Sequence, residues 1–269
     1  MSDRIQVATD GVVATLSLTG PNGVNTMDED FFHDLADVVA GLEADDAVRA
    51  IVVRGTGGHF SYGLDLPALA PKLAGLRDAG VRERLGFRDY ILRGQQGMRA
   101  LAACAKPTIA AIDGWCIGGG LGLAAACDVR VAGPSARFSL REGKVGVVAD
   151  MGSLQWLAGV VGEGHLRQLA LTARDIDVAW AERIGLVNEV HADPDALFAA
   201  ARELAEEMAA NSPVVLRGIK DVLEDARRDR VDRGLRAVAE WNGAYLPGRD
   251  VTEALQAFAE GRQPVYVGA

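Results

Sequence analysis

Glu142 and Asp150 stand eight residues apart in "REGKVGVVADMG", with glycines and valines between them and few competing charges. A carboxylate in apolar surroundings loses the hydration of its charged form. Its pKa rises, and it can accept and return protons near neutral pH. Two such groups at different depths could take a proton from one carbon and deliver one to another, which is what moving a double bond requires. The same residues also have an architectural reading. Glu142 would cap a turn, and Asp150, just before "MGSLQWL", would cap a helix starting near Gly152.

A second chemistry comes from the backbone. In "WCIGGGLGLAAACD" a strand ends in Gly118, Gly119 and Gly120 and opens an alanine-rich helix that carries a fourth glycine, Gly122. A strand ending in glycines before a helix presents bare N–H groups at the positive end of a helix dipole, which can hold an anion or a developing oxyanion. Gly120, Gly122 and Ala125 also fit the loose G-x-G-x-x-A form of a dinucleotide fingerprint. However, "DVRVAG" ends without the acidic residue that fingerprint needs. A third reading is close helix–sheet packing alone. "GGHFSYGLDLPAL" again sets a glycine, Gly63 after Tyr62, where strand gives way to helix. Two strand-end segments can supply two convergent N–H donors to one carbonyl oxygen.

The elements that would position these groups alternate. "VVATLSL", "AIVVRG", "PTIAAID" and "DVRVAG" read as strands, the second as an apolar run suited to a sheet covered on both faces. Thr26 and Glu29 form a capping box before a helix that places Phe31, Leu35, Val38, Val39 and Leu42 on one face. Residues 67–96 look like a helical excursion. From Asp193 onward the pattern is helical, with Pro194 at a helix start. The alternation implies an α/β fold with parallel pairing, residues 1–192, followed by a helical region, residues 193–269.

The 269 residues, 49% hydrophobic and 24% charged, suit a globular protein with ample core. A net charge of −9 argues against non-specific nucleic-acid binding, and no apolar run is long enough to cross a membrane. The start lacks a signal-peptide pattern. Cys104, Cys116 and Cys127 form no close pair, which predicts a reducing, cytosolic compartment. His33, His59, His165 and His191 are scattered and predict no metal site. Cys116 beside the glycines has no histidine nearby and reads as a small buried residue. The absence of a G-x-S-x-G elbow disfavours an α/β-hydrolase.

"HFSYGLDL", "PTIAAIDGWCIGGGLGLAAACDVRVA", "FSLREGKVGVVADMGSLQWL" and "LTARDIDVAWAERIGLVNEV" together resemble the enoyl-CoA hydratase/isomerase (crotonase) family. The match runs on through "NSPVVLRGIKDVL" to "DVTEALQAFAEGRQPV". The resemblance implies a ββα spiral core with a C-terminal helical trimerisation region, and a homotrimer or dimer of trimers. It implies an acyl-CoA thioester substrate in fatty-acid β-oxidation, with coenzyme A as part of the substrate and no separate cofactor. The oxyanion donors would be the N–H groups of Tyr62 and Gly119. Gly63, Leu64, Asp65, Gly118, Gly122 and Trp115 would line the substrate, with Trp115 and Tyr62 shaping the acyl pocket and Trp156 and Trp241 packing.

Hydrating members of that family carry a catalytic glutamate where this chain has Gly122, so a two-carboxylate hydration site is incomplete. The spacing of Glu142 and Asp150, with "CIGGG" and "VAEWN", resembles the dienoyl-CoA isomerase branch, in which both carboxylates shuttle a proton as a 3,5-diene becomes a 2,4-diene. That branch has an aspartate at the position of Gly122. Its loss here implies either a simpler 3-enoyl-CoA substrate or a larger acyl group filling the space. Hydration by Glu142 alone, and non-catalytic acyl-CoA binding, are the alternatives. The family's basic residue after the first-turn proline is missing from "GPNGVNT". Arg262 in "EGRQP" matches a basic position that would offset that loss.

Overall fold

The computed structural model describes residues 4–20, 23–76, 79–246 and 248–268. The chain opens with an antiparallel hairpin, β1 (Ile5–Asp10) and β2 (Val13–Leu18), of which only β2 is legible as a strand in the sequence. α1 (Glu29–Ala44) follows. Its N-cap is Asp28, whose side chain accepts from Phe31 N, whereas the Thr26 hydroxyl donates to Asp65. The expected Thr26–Glu29 box is therefore replaced by an Asp28 cap two residues further along the chain.

The chain then makes three similar turns. Each passes through a large sheet, then a small one, then a helical layer. The first is β3 (Ala50–Gly55), an extended stretch at Ser61, then α2 (Leu66–Ala74) and α3 (Val81–Ala103). These two helices resolve the excursion at 67–96. The second is β4 (Thr108–Ile112), β5 (Trp115–Ile117) and α4 (Gly119–Ala126). The third is β6 (Val129–Ala132), β7 (Arg137–Ser139), a 3-10 turn (Arg141–Val145), α5 (Ser153–Trp156) and α6 (Ala158–Thr172). Next come β8 (Ile176–Asp177), α7 (Val178–Arg183) and β9 (Glu189–Val190), and the chain ends in α8 (Pro194–Ala209), α9 (Pro213–Tyr245) and α10 (Arg249–Glu260). The large sheet has the order β1-β2-β3-β4-β6-β9, parallel from β2 onward. The small one has the order β5-β7-β8, and Ser61 bridges to Cys116 at its β5 edge. The ββα spiral is this repeated passage.

Alternation along the strands explains the two-sided core. Ile51 and Val53 of β3 bury into the main cluster with Leu16, Ala110 and Ile112, while Ala50 and Val52 face α8 with Ile109, Ala111 and Val131. Leu197, Ala201, Ala205 and Ala209, one stripe of α8, close that second face. The expected division at 192/193 thus marks a change of element type, with α8 still part of the sheet's packing. α9 packs along α3, and the Lys220 ammonium, held by Asp128 and the Lys106 carbonyl, pins its first half. Trp156 is fully buried as expected. Trp241, read as a packing residue, lies instead on the outer face of α9, 55% exposed and tilted against the Tyr245 ring at 4.6 Å between centres.

Candidate active site

The glycine-rich junction and the 60–65 segment come together because both belong to the small sheet. Ser61 N donates to Trp115 O and Ile117 N to Ser61 O, so the two segments run side by side. On its other side the 60–65 segment pairs with Met27, with Met27 N donating to Gly63 O and Asp65 N to Met27 O. Asn25 fixes the preceding turn, its amide donating to Thr56 O, His59 O and Phe60 O.

Two glycines are required by this closeness. Gly63 has φ +77°, and a Cβ there would stand 2.6 Å from Ile117 O and 2.9 Å from the Gly119 nitrogen. Gly118 has φ +53°, and its Cβ would stand 3.4 Å from Glu142 Oε1. Both values lie in the region that glycine alone enters readily. The N–H groups sort accordingly. Tyr62 N donates to Val24 O and Gly63 N to Ser61 Oγ, so the expected Tyr62 donor is committed to the backbone. Among the described residues the N–H groups of Leu64 and Gly119 meet no acceptor. A Cβ on Gly119 would lie 3.7 Å from Leu64 N, so the two share one spot. The open pair is Leu64 and Gly119. The side chain of Asp65 caps α2 through Ala68 N.

Glu142, in the 3-10 turn, turns its carboxylate against Gly118, and its buried Oε2 meets no partner among the described residues. Burial raises its pKa to about 7, with the charge of Asp150 adding to the rise. Asp150 is 6% exposed, and burial raises it to about 6 against an opposing hydrogen bond from Asn242. Asn242 Nδ2 stands 2.8 Å from Asp150 Oδ2, and Gln95 Nε2 donates to the Asp150 carbonyl. Neither carboxylate caps a helix: the N-cap of α5 is Gly152, with no side-chain bond. The architectural reading of the pair therefore fails.

Gly122 lies in buried α4, and a Cβ there would stand 2.9 Å from Met151 O and 3.0 Å from Ser153 Oγ. No vacated space exists at Gly122 for a larger acyl group, because the Met151 carbonyl and the Ser153 hydroxyl fill it. Trp115 lies with Tyr62, ring centres 6.3 Å apart, under the Arg141 guanidinium at 4.8 Å. A narrow cavity is lined by Glu29, Phe32, His33, Tyr90, Gly94 and Met151, the residue after Asp150. The three thiols are buried with raised pKa values, Cys116 most of all, which removes it as a nucleophile. Arg262 is held by Glu253 and Glu260. The GPNGVNT departure falls partly at Pro21 and Asn22, outside the described residues. No cluster of metal-ligating side chains occurs among the described residues.

Sequence reasoning missed Asn25, Gln95 and Asn242 as site-forming residues. Only the last carried any signal, as part of "VAEWN".

The buried Asp150, the inward Glu142 carboxylate and a pair of open N–H groups, on a spiral of paired sheets, are an arrangement that could move a proton next to a held oxyanion. The enoyl-CoA hydratase/isomerase family model matches residues 8–269, and the chain belongs to that family. It is 39% identical over 255 residues to a Delta(3,5)-Delta(2,4)-dienoyl-CoA isomerase, mitochondrial, of Dictyostelium discoideum, covering 94% of this chain and 87% of that one. It is 36% identical to the peroxisomal protein of that name in Arabidopsis thaliana, over 97% and 95% of the two chains. An enoyl-CoA hydratase structure from Mycobacterium avium subsp. paratuberculosis K-10 superposes with a TM-score of 0.85 at 24% identity, covering 98% of each chain, and shares the fold.

Proposed function

We propose that the chain is an acyl-CoA isomerase that converts a 3,5-dienoyl-CoA to its 2,4 isomer. The observation that carries this reading is the pair of buried, electrostatically coupled carboxylates, Glu142 and Asp150, beside the open N–H groups of Leu64 and Gly119. The thioester oxygen sits between those two N–H groups, which stabilise the enolate as charge develops. Glu142, packed on Gly118, is the carboxylate at the carbonyl end and removes the proton from C2. The C–H pair becomes the C2=C3 bond, the C3=C4 pair moves to C4=C5, and the C5=C6 pair takes a proton at C6 from Asp150. The groups reset by returning the proton. Burial raises both carboxyl groups toward neutrality, so each can take up and release a proton there, and the exchange starts from the share of molecules in which Asp150 holds the proton and Glu142 is ionised. The acyl chain runs toward the cavity at Tyr90 and Met151, Tyr62 and Trp115 flank the thioester end, and coenzyme A enters as part of the substrate.

The test is ultraviolet absorbance of a 3,5-dienoyl-CoA and a 2-enoyl-CoA, each incubated with the protein and with Asp150→Asn. A conjugated 2,4-diene signal that vanishes in the variant supports the reading. Loss of the 2-enoyl signal, untouched by the variant, makes Glu142 a lone hydration residue instead.

The same proposal includes a homotrimer or dimer of trimers, in support of which Val214, Val215, Val222 and Leu223 leave an exposed apolar row on α9. Sedimentation equilibrium decides it. No helix among the described residues is long and apolar enough to cross a membrane. A cytosolic location is proposed against the mitochondrial and peroxisomal names of the relatives, and cell fractionation tests it.

A further inference from the structure

Asn242 is 1% exposed, near the end of the 33-residue helix α9, and its amide nitrogen makes two hydrogen bonds, each 2.8 Å: one to Val148 O and one to Asp150 Oδ2. The Val148 carbonyl can only accept, so it fixes which end of the amide is nitrogen. The second N–H must then point at Asp150. The Asn242 Oδ1 is buried and meets no donor among the described residues. A buried acceptor left in that state is unfavourable, and it is tolerated here beside a nitrogen that serves both Val148 O and Asp150 Oδ2.

We infer that Asn242 is a positioning residue that occupies Oδ2 of Asp150 and so makes Oδ1 the oxygen through which Asp150 exchanges its proton. The role rests on the isomerase reading above. An N–H on one oxygen also favours the carboxylate over the acid, so Asp150 releases its proton more readily than burial alone would allow. The other titratable groups facing Asp150 are Glu142 from the 3-10 turn and Tyr90 from α3, whose phenol burial and acidic neighbours, Asp150 among them, push up to about 12. Neither donates to Oδ2. The anchoring also explains why α9 reaches back across α3: Gln95 of α3 donates to both the Asp150 carbonyl and the Leu235 carbonyl of α9, so the two helices grip the same residue from both sides.

The experiment uses Asn242→Leu, with Asn242→Ala as the second variant should leucine not fold. The protonated-carboxyl infrared band of Asp150 is titrated in the intact protein carrying Glu142→Gln, with Asp150→Asn identifying the band. Loss of one hydrogen bond to a charged group is expected to raise the Asp150 midpoint by about one pH unit. In the otherwise wild-type protein, kcat on a 3,5-dienoyl-CoA is expected to fall by about 10- to 100-fold, with KM changed less than about twofold, as for a group that aids proton transfer and not binding. The limb of the pH–rate profile set by Asp150 should move up with the infrared midpoint. An unchanged midpoint overturns the inference whatever happens to kcat, and so does a shifted midpoint with unchanged kcat. The titration needs no substrate. A wild-type protein inactive on dienoyl-CoA would therefore end the isomerase reading, while the midpoint still decides whether Asn242 anchors Asp150.

Discussion

The two halves of the site are built by different means. The half proposed to hold the oxyanion, residues 60–65 and 115–120, consists of backbone and is held by sheet hydrogen bonds at Ser61, Trp115, Ile117, Gly63 and Asp65. The carboxylate half, residues 141–153, has little regular structure: a 3-10 turn, then a loop bent at left-handed Gly146 and Gly152. It is held from two distant helices, by Gln95 on the Asp150 carbonyl and by Asn242 on the Val148 carbonyl and the Asp150 carboxylate. Backbone donors come with the fold and carry fixed partial charges. Proton carriers need an environment, and burial together with one amide supplies it. The first half is therefore sensitive to added atoms, and the second to lost polar groups and to pH.

The largest effect is expected on the carboxylates. Asp150→Asn and Glu142→Gln should each lower kcat by about 10²–10⁴-fold, the range for a lost general acid or base, with little change in KM. Steady-state kinetics on a 3,5-dienoyl-CoA checks this. Equal and non-additive losses would show the two acting as one unit. A loss confined to Glu142→Gln would break the comparison by leaving only one working carboxylate.

For the backbone half the informative change is Gly63→Ala. The added carbon would press on Ile117 O and the Gly119 nitrogen at a positive φ. Widening the gap between the two N–H groups should lower kcat by about 10²–10³-fold, as for removal of one oxyanion donor. A lower melting temperature should accompany it. Full activity in this variant would mean that Leu64 and Gly119 do not hold the thioester oxygen.

The difference between the halves also explains what could be read from sequence. Strands such as "AIVVRG" and the glycine junction announce themselves through local pattern, because backbone sites are made from neighbours in the chain. The register of those sites is not local. Tyr62 and Leu64 differ only in which N–H the strand pairing consumes, and that depends on Val24 and Met27, far away in sequence. Glu142 and Asp150 were visible as a spaced pair, yet their role as buried acids, not caps, depends on packing against other elements. Asn242 lies 92 residues beyond Asp150, where no spacing rule connects them.

A smaller effect is expected at Gly122, where the halves meet. Gly122→Asp puts a carboxylate at the position left without one, but its Cβ would overlap Met151 O and Ser153 Oγ. The expected outcome is a loss of about 1–3 kcal/mol of stability from overpacking. Displacement of Met151 would disturb Asp150 next to it, so activity should fall and hydration of a 2-enoyl-CoA should not appear. Urea unfolding and the two absorbance assays read these results. A gain in hydration would show that the loop yields and that the glycine, not the packing, sets the reaction.

The last comparison separates the halves by pH alone. Folding raises Glu142 from 4.5 to about 7 and Asp150 from 3.8 to about 6, both by burial of the charged form. Between the unfolded and folded values the native state binds more protons than the unfolded one. Stability must therefore fall as pH rises through roughly pH 4 to 7, and level off above. Taken singly, each carboxylate costs about 3 kcal/mol at full ionisation. Glu142→Gln cannot ionise, so its advantage in stability over wild type should be about 2–3 kcal/mol larger at pH 8 than at pH 5. Gly63→Ala, which changes only packing and backbone, should destabilise equally at both. Urea unfolding of the three proteins at the two pH values tests the point. A Glu142→Gln difference that did not vary with pH would mean that the glutamate is solvated in the folded protein, and the proton-carrying half of the site would lose its physical basis.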